Sequence, residues 1–427
     1  MKELSSADFI IEAVPEKFKI KRYIFERLSR IVREECILSS NTSTIPITEL
    51  ARTSGKAERF IGFHFSNPPV LMPVVEIIMG KDTSEDTLIT AQELVSSTGK
   101  ESVVVKKDVP GFLINRLNER VITEAITILQ EGHKKESLDS MARFRLGFPM
   151  GIFELLDFVG IDTVYYAMTE LSKRGFDPLS LKTLEEKVNS GRLEVKTGEG
   201  FYKYPEKGSY SRPIIIPDDS MYKVNPIRFL APAVNEVAWL IRNGVAEPSD
   251  IEKVVMLAMN WPVGPLSLAD KFGLDAVVNV LWSGYEETGL KRYAPDPLLL
   301  EMINRGDTGM LSGRGFLSWD TLKKQFGTVS YVRADNFALI TIKRPDSLNA
   351  LDEFTWNGLR LALEEAVGDE TVRSVVITGT GRTFSAGDDI RMMRGWHDSA
   401  DAKTWSDRYV QPLLNLILSY PNPSYLP

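Results

Sequence analysis

The chain has 427 residues, 43% of them hydrophobic and 26% charged, enough for three or four globular domains at about 100–200 residues each. A net charge of −7 with scattered lysines and arginines leaves no nucleic-acid or membrane-surface footprint, although single basic residues can still bind phosphates, and no apolar stretch approaches the roughly 18 residues of a membrane span. The lone cysteine, Cys36, cannot form an internal disulfide, and the start of the chain has no signal-peptide pattern, so a cytoplasmic protein is expected.

Residues 8 to 107 alternate strand and helix patterns. Asp8 to Val14 reads as a short apolar strand, followed by an amphipathic helix carrying Phe18, Ile24, Phe25, Leu28, Ile31 and Val32. Strands are expected at Cys36 to Ser40, Arg59 to Phe65, Val74 to Met79 and Ser102 to Lys106, with a helix from Ser84 to Ser97 stopped by Gly99. Strands separated by helices imply a largely parallel, doubly wound sheet. Beyond this the chain turns helical and repeats itself. Pro149 to Asp162 recurs as Pro262 to Asp275 at an offset of 113; Arg116 to Ala125 aligns with Arg228 to Val237 at 112, and Gly198 to Tyr202 with Gly313 to Leu317 at 115. Two copies mean a duplication of one helical domain, joined by Arg212-Pro213-Ile214-Ile215-Ile216-Pro217. After Gly327 a further α/β unit is expected, with strands at Phe337 to Ile342 and Ser374 to Gly379 around a helix from Asp352 to Val367. The expected domains are 1–107, 108–210, 211–327 and 328–427.

Only three histidines occur in the chain, and one, His64, ends an apolar strand. In isolation it would be a satisfied core or edge histidine. Glu76 changes the balance, because a carboxylate beside an imidazole fixes its tautomer and stabilises its cation, as a general base near neutral pH requires. Ser43 lies just past the carboxyl end of a strand, where open α/β sheets bind ligands, or else in a helix N-cap box ahead of Thr44 to Glu49. Asn115 falls in the first turns of a long helix, where a polar residue is unremarkable. No metal-ligating cluster is expected.

Taken in order, Glu12-Ala13-Val14, Ser40-Asn41-Thr42-Ser43, His64-Phe65-Ser66-Asn67-Pro68, Val75-Glu76, Gly99-Lys100, Asp108 to Phe112, Asn115-Arg116, Pro149-Met150-Gly151 and Lys196 to Tyr202 resemble the 3-hydroxyacyl-CoA dehydrogenase family over residues 1 to about 320. The resemblance implies NAD-dependent oxidation of the 3-hydroxyl of an acyl-CoA in fatty acid β-oxidation. His64 would take the hydroxyl proton, Glu76 would orient and charge-balance it, and Ser43 and Asn115 would hydrogen-bond the substrate. Glu16, Lys21, Ser43, Asn67 and Lys196 would line the NAD site. Ser66 and Ile152 depart from the family's usual aromatic and proline. No Gly-x-Gly-x-x-Gly turn lies upstream of Asp8, so the expectation is an α/β Rossmann-like domain lacking its N-terminal part, with most of the pyrophosphate and adenosine site absent.

Residues Ala338 to Ile342, Arg344-Pro345, Leu348 to Leu351, Val376 to Gly379 and Phe384 to Ile390 resemble the opening of the enoyl-CoA hydratase/isomerase (crotonase) family. The resemblance implies that the Ala386 backbone N–H is one of two oxyanion donors to an acyl-CoA thioester; an ordinary Gly-Asp turn is the plainer alternative for that heptad. The unit is expected to be incomplete and to catalyse no hydration. The alternative to a dehydrogenase is a non-catalytic acyl-CoA-binding fragment of a bifunctional dehydrogenase/hydratase. Either a homo-oligomer or a complementing chain is compatible with the sequence, with no nucleic-acid or membrane partner.

Overall fold

A computed structural model describes residues 2–176, 181–217 and 219–419, which fall into two compact units, 1–304 and 305–427.

The first unit opens with β1 (Phe9–Glu12), α1 (Phe18–Leu28), β2 (Ile37–Ser40), α2 (Ile47–Ser54), β3 (Phe60–Phe65), β4 (Val74–Met79), α3 (Glu85–Ser97) and β5 (Glu101–Val105). The five strands form one sheet in sequential order, parallel except between β3 and β4. That exception has a simple cause. Residues 66–73 are too few for a parallel crossover, which needs a dozen or more, so β4 must return antiparallel. Helices cover both faces of this sheet, α2 against Gly62 and α3 against Ile61 and Phe63, as the Rossmann-like expectation requires, although the strand order does not reverse within these residues. Ile37, Ile61, Phe63, Val75 and Ile77 pack with Leu88, Ala91 and Val95 of α3 in a buried core. Gly62 lets α2 close down on β3: a Cβ there would come within 2.8 Å of Ile47 Cδ1 and of Ile78 Cβ. Cys36 is buried at the head of β2.

The helical part comprises α4 (Ile114–Gln130), α5 (Lys135–Phe144), α6 (Ile152–Val159), α7 (Ile161–Lys173) and α8 (Leu181–Asn189), then α9 (Pro226–Arg242), α10 (Pro248–Ala258), α11 (Pro265–Phe272), α12 (Leu274–Thr288) and α13 (Pro297–Asn304). The repeat is geometric as well as textual. Asp139 accepts from the Phe153 and Glu154 amides at the start of α6, and Glu252, 113 residues on, accepts from the Ser267 amide at the start of α11. Helices α4 and α9 pack together and exchange partners: Arg116 pairs with Glu236 at 2.8 Å, while Arg228 pairs with Glu124 at 3.3 Å. Each pair is the other's image at offset 112, so the two copies meet as a pseudo-twofold dimer inside one chain.

In the second unit β6 (Thr321–Phe326), β7 (Val329–Ala334), β8 (Phe337–Ile342) and β9 (Ser374–Gly379) form a sheet in that order, antiparallel up to β8 and parallel from β8 to β9. Helix α14 (Glu353–Gly368) crosses over between the parallel pair and contributes Leu359, Ala362, Leu363 and Ala366 to the core. This sheet starts at Thr321, ahead of the boundary expected near residue 328. Strand β6 reads Thr-Leu-Lys-Lys-Gln-Phe on a sheet edge, too polar to show a hydrophobic period. Residues 420–427 of the expected last domain lie outside the described residues.

Candidate active site

Antiparallel pairing puts His64 of β3 directly opposite Glu76 of β4, so both side chains leave the same face of the sheet. His64 Nδ1 lies 2.7 Å from Glu76 Oε2 and its Nε2 lies 3.0 Å from Ser43 Oγ. A carboxylate can only accept, so the proton sits on Nδ1; Nε2 is then a lone-pair acceptor for the Ser43 hydroxyl. Glu76 is fully buried, and its other oxygen accepts from the Leu113 and Ile114 amides at 2.9 and 3.2 Å. One side chain therefore holds both the imidazole and the N-terminus of α4. Asn115, on the first turn of that helix, donates to the Ser43 carbonyl at 3.3 Å, and Phe112 meets the edge of the imidazole at 5.6 Å between ring centres.

These contacts bring Ser43, His64, Glu76 and Asn115 into one cluster built on two strands, a helix N-terminus and the loop after β2. Ser43 is not a helix cap. Helix α2 starts at Ile47 behind Pro46, and its Thr48 amide is capped instead by Asp108 at 2.8 Å. His64 is 7% exposed, while Ser43 and Asn115 are half-buried, so the open side of the cluster presents a hydroxyl, an amide and the Nε2 edge.

The residues expected around NAD divide. Glu16 ties the loop after β1 to the loop after β2, accepting from the Ser43 and Thr44 amides at 3.0 Å and from the Thr42 hydroxyl at 2.5 Å; these hydrogen bonds hold its carboxyl below its ordinary value against the opposing effect of burial. Lys21 is 1% exposed, and its ammonium is spent on Glu12, the Val14 carbonyl and Glu16. It positions Glu16 and has no free face toward a ligand. Asn67 is exposed just beyond β3. Lys196 is exposed among the helices, paired with Glu194 at 3.1 Å and Asp162 at 3.8 Å. The carboxyl ends of parallel strands β1 and β2, with Glu16 and Ser43 just beyond them, lie where open α/β sheets bind ligands such as NAD. No glycine-rich pyrophosphate turn is among the 427 residues.

Three supporting residues have no role assigned by the sequence, although each lies in a stretch that carries the resemblance: Glu12, which buries its carboxylate against Lys21 and the Ser40 hydroxyl; Asn41, which accepts from the Phe65 amide; and Asp108, which accepts from the Thr48 amide. A charged residue ending the apolar strand Phe9 to Glu12 was the available signal for the first. Ala386 corrects an expectation. Its N–H donates to the Leu348 carbonyl at 3.0 Å as residues 386–389 run beside 348–351, so that donor is taken. In the second helical copy Ile227 stands where the first has Asn115. No group of three or more metal-ligating side chains occurs among the described residues.

Comparison with known proteins gives a consistent picture. Residues 1–109 match the 3-hydroxyacyl-CoA dehydrogenase NAD binding domain, residues 111–204 and 226–319 each match the C-terminal domain of that family, and residues 333–424 match the enoyl-CoA hydratase/isomerase family. A probable 3-hydroxybutyryl-CoA dehydrogenase of Deinococcus radiodurans is 40% identical over 210 residues, 48% of this chain and 74% of that protein. The fatty acid oxidation complex subunit alpha of Psychrobacter arcticus is 33% identical over 331 residues; the alignment covers 72% of this chain but only 45% of the subunit. Among solved structures, 3-hydroxybutyryl-CoA dehydrogenase of Escherichia coli matches with a TM-score of 0.63 at 25% identity, over 72% of this chain and 84% of that one.

Proposed function

Because the chain belongs to the 3-hydroxyacyl-CoA dehydrogenase family, we propose that it oxidises the 3-hydroxyl of an acyl-CoA to the 3-oxo form with NAD, and that Ser43, His64, Glu76 and Asn115 do the chemistry. NAD, when bound, supplies the acceptor for the hydride leaving C3. The single observation that carries the reading is the chain of hydrogen bonds from Ser43 Oγ through both ring nitrogens of His64 to Glu76.

The substrate hydroxyl takes up a position against Nε2, where the lone pair accepts its proton as the C3–H bond breaks. The imidazolium so formed sits on a buried carboxylate that already fixes its orientation, so no reorganisation is needed at the moment of proton transfer. Ser43 Oγ, released from Nε2 when the substrate hydroxyl takes its place there, and the second N–H of Asn115 Nδ2 are the donors for the oxygen that gains carbonyl character. Glu16 holds the loop carrying Ser43 and marks the cofactor side of the cluster; Asn67 and Lys196 are assigned to the cofactor more loosely, by family position. The 427 residues hold the nicotinamide end of a Rossmann domain without its glycine-rich turn, followed by two helical copies and the opening strands of a crotonase unit. We assign no hydratase reaction to that last unit.

The reaction class is tested with 3-hydroxybutyryl-CoA carrying deuterium at C3. The proposal expects the label on the nicotinamide of the reduced cofactor; label released to solvent or retained in the acyl product would refute it.

A further inference from the structure

A cavity of about 590 Å³ lies in the first unit, on the side of α4 that faces α9. Its lining includes five cationic side chains, Arg116, Arg120, Arg174, Lys291 and Arg292, and it shares no residue with the Ser43, His64, Glu76 and Asn115 cluster. Its two carboxylates are already engaged. Glu236 takes both Arg116 and Arg120, and Asp296 takes Arg242 through two hydrogen bonds of 2.8 Å. The lining thus carries a surplus of three positive charges among the described residues.

Arg292 gives the surplus a direction. The residue is 7% exposed, and two of its nitrogens, Nε and Nη1, are buried without a hydrogen-bond partner. Its third nitrogen is spent on Thr127 and the Tyr293 hydroxyl, with Glu124 no nearer than 3.9 Å. Arg174 likewise has a buried Nε without a partner and reaches Glu49 only at 3.5 Å. A guanidinium does not lose its charge in a protein, so it cannot escape this cost by deprotonating. Unmet charged donors in a buried setting are expensive, and several like charges around one cavity add to the cost. A packing role accounts for Arg116 and Arg120, whose guanidiniums lie over Phe176 at 4.9 and 4.2 Å. It does not account for Arg174 or Lys291, nor for the unmet Nε and Nη1 of Arg292, whose guanidinium lies over the Tyr293 ring at 4.7 Å.

From this we infer that the cavity is a binding site for a phosphorylated small molecule, its phosphate or diphosphate group held by Arg174, Lys291 and Arg292. Phosphate oxygens would satisfy the open guanidinium donors in the bidentate manner that arginine favours, and the volume lies within the roughly 300–1,000 Å³ of small-molecule sites.

The test is calorimetric titration of the full chain with inorganic pyrophosphate at fixed ionic strength, for the parent and for the Arg174→Gln and Lys291→Gln variants. Both positions lie where solvent reaches, so these variants keep the fold, which their melting curves check. Saturable binding by the parent, weakened at least tenfold in each variant, is expected. A parallel titration with ADP distinguishes the source of the phosphate: tighter binding than pyrophosphate with the same loss in the variants identifies a nucleotide, and equal or weaker binding with that loss identifies the phosphate group alone. Absence of saturable pyrophosphate binding, or unchanged affinity in both variants, would overturn the assignment.

Discussion

At Glu76 one carboxylate answers to the His64 imidazole on one oxygen and to two amides of α4 on the other, so its charge and its geometry can be separated by substitution. Glu76→Gln keeps the length and an acceptor but cannot balance an imidazolium. It is expected to lower kcat by roughly 10²-fold or more while leaving KM within a few-fold, as seen when the carboxylate behind a catalytic histidine is neutralised; steady-state kinetics on both parameters check this, and a change in KM alone would point to a structural role. Glu119, in the same helix α4, is a different case. Burial raises its carboxyl well above the ordinary value of 4.5, with Arg120 pulling weakly the other way, and its Oε2 is buried without a partner. The folded state therefore holds this proton to higher pH than the unfolded chain, and the stability it contributes is present at low pH and lost as pH rises above about 4.5. Glu119→Gln should flatten that decline, stabilising the protein at pH 8 by on the order of 1–3 kcal/mol relative to the parent while changing little at pH 4. Melting temperatures across that range test the sign. At this scale the sequence was readable where residue type and chemistry coincide: one histidine after a strand, one carboxylate twelve positions on. Lys21 and Ala386 were not, because whether a donor is free depends on partners such as Glu12 and the Leu348 carbonyl that no local pattern names.

At the scale of elements, the short connection between β3 and β4 decides the site. An antiparallel return in the observed register is what sets residue 64 against residue 76; a slip of one residue would send Glu76 to the opposite face. The strands themselves were legible from their apolar runs, but the order of the sheet was not, since strand neighbours are chosen by connections and packing rather than by composition. β6 escaped notice because it is a polar edge. The repeat was legible as text and became an interface in space: Glu236 of α9 holds both Arg116 and Arg120 of α4, with all three side chains nearly buried. Glu236→Gln leaves two guanidiniums without their counter-charge, and is expected to cost about 3–5 kcal/mol, read as a lowered denaturation midpoint. Arg228→Gln, in the more exposed image pair, should cost far less. Equal effects would mean that the two halves of the interface are not held by these pairs.

For the whole molecule, the four site residues come from pieces spread over 73 positions of the first 115, and the helical duplication supplies the platform that fixes α4 under them. The family match covers residues 1–109, 111–204 and 226–319. Among the described residues no helix is long and apolar enough to cross a membrane. The proposed base role of His64 is tested most directly by the rate of NADH oxidation by the purified chain with acetoacetyl-CoA, parent against His64→Ala. If His64 is the base, the parent rate falls by roughly 10²–10⁴-fold in the variant with folding intact. Equal rates in the two proteins would contradict it.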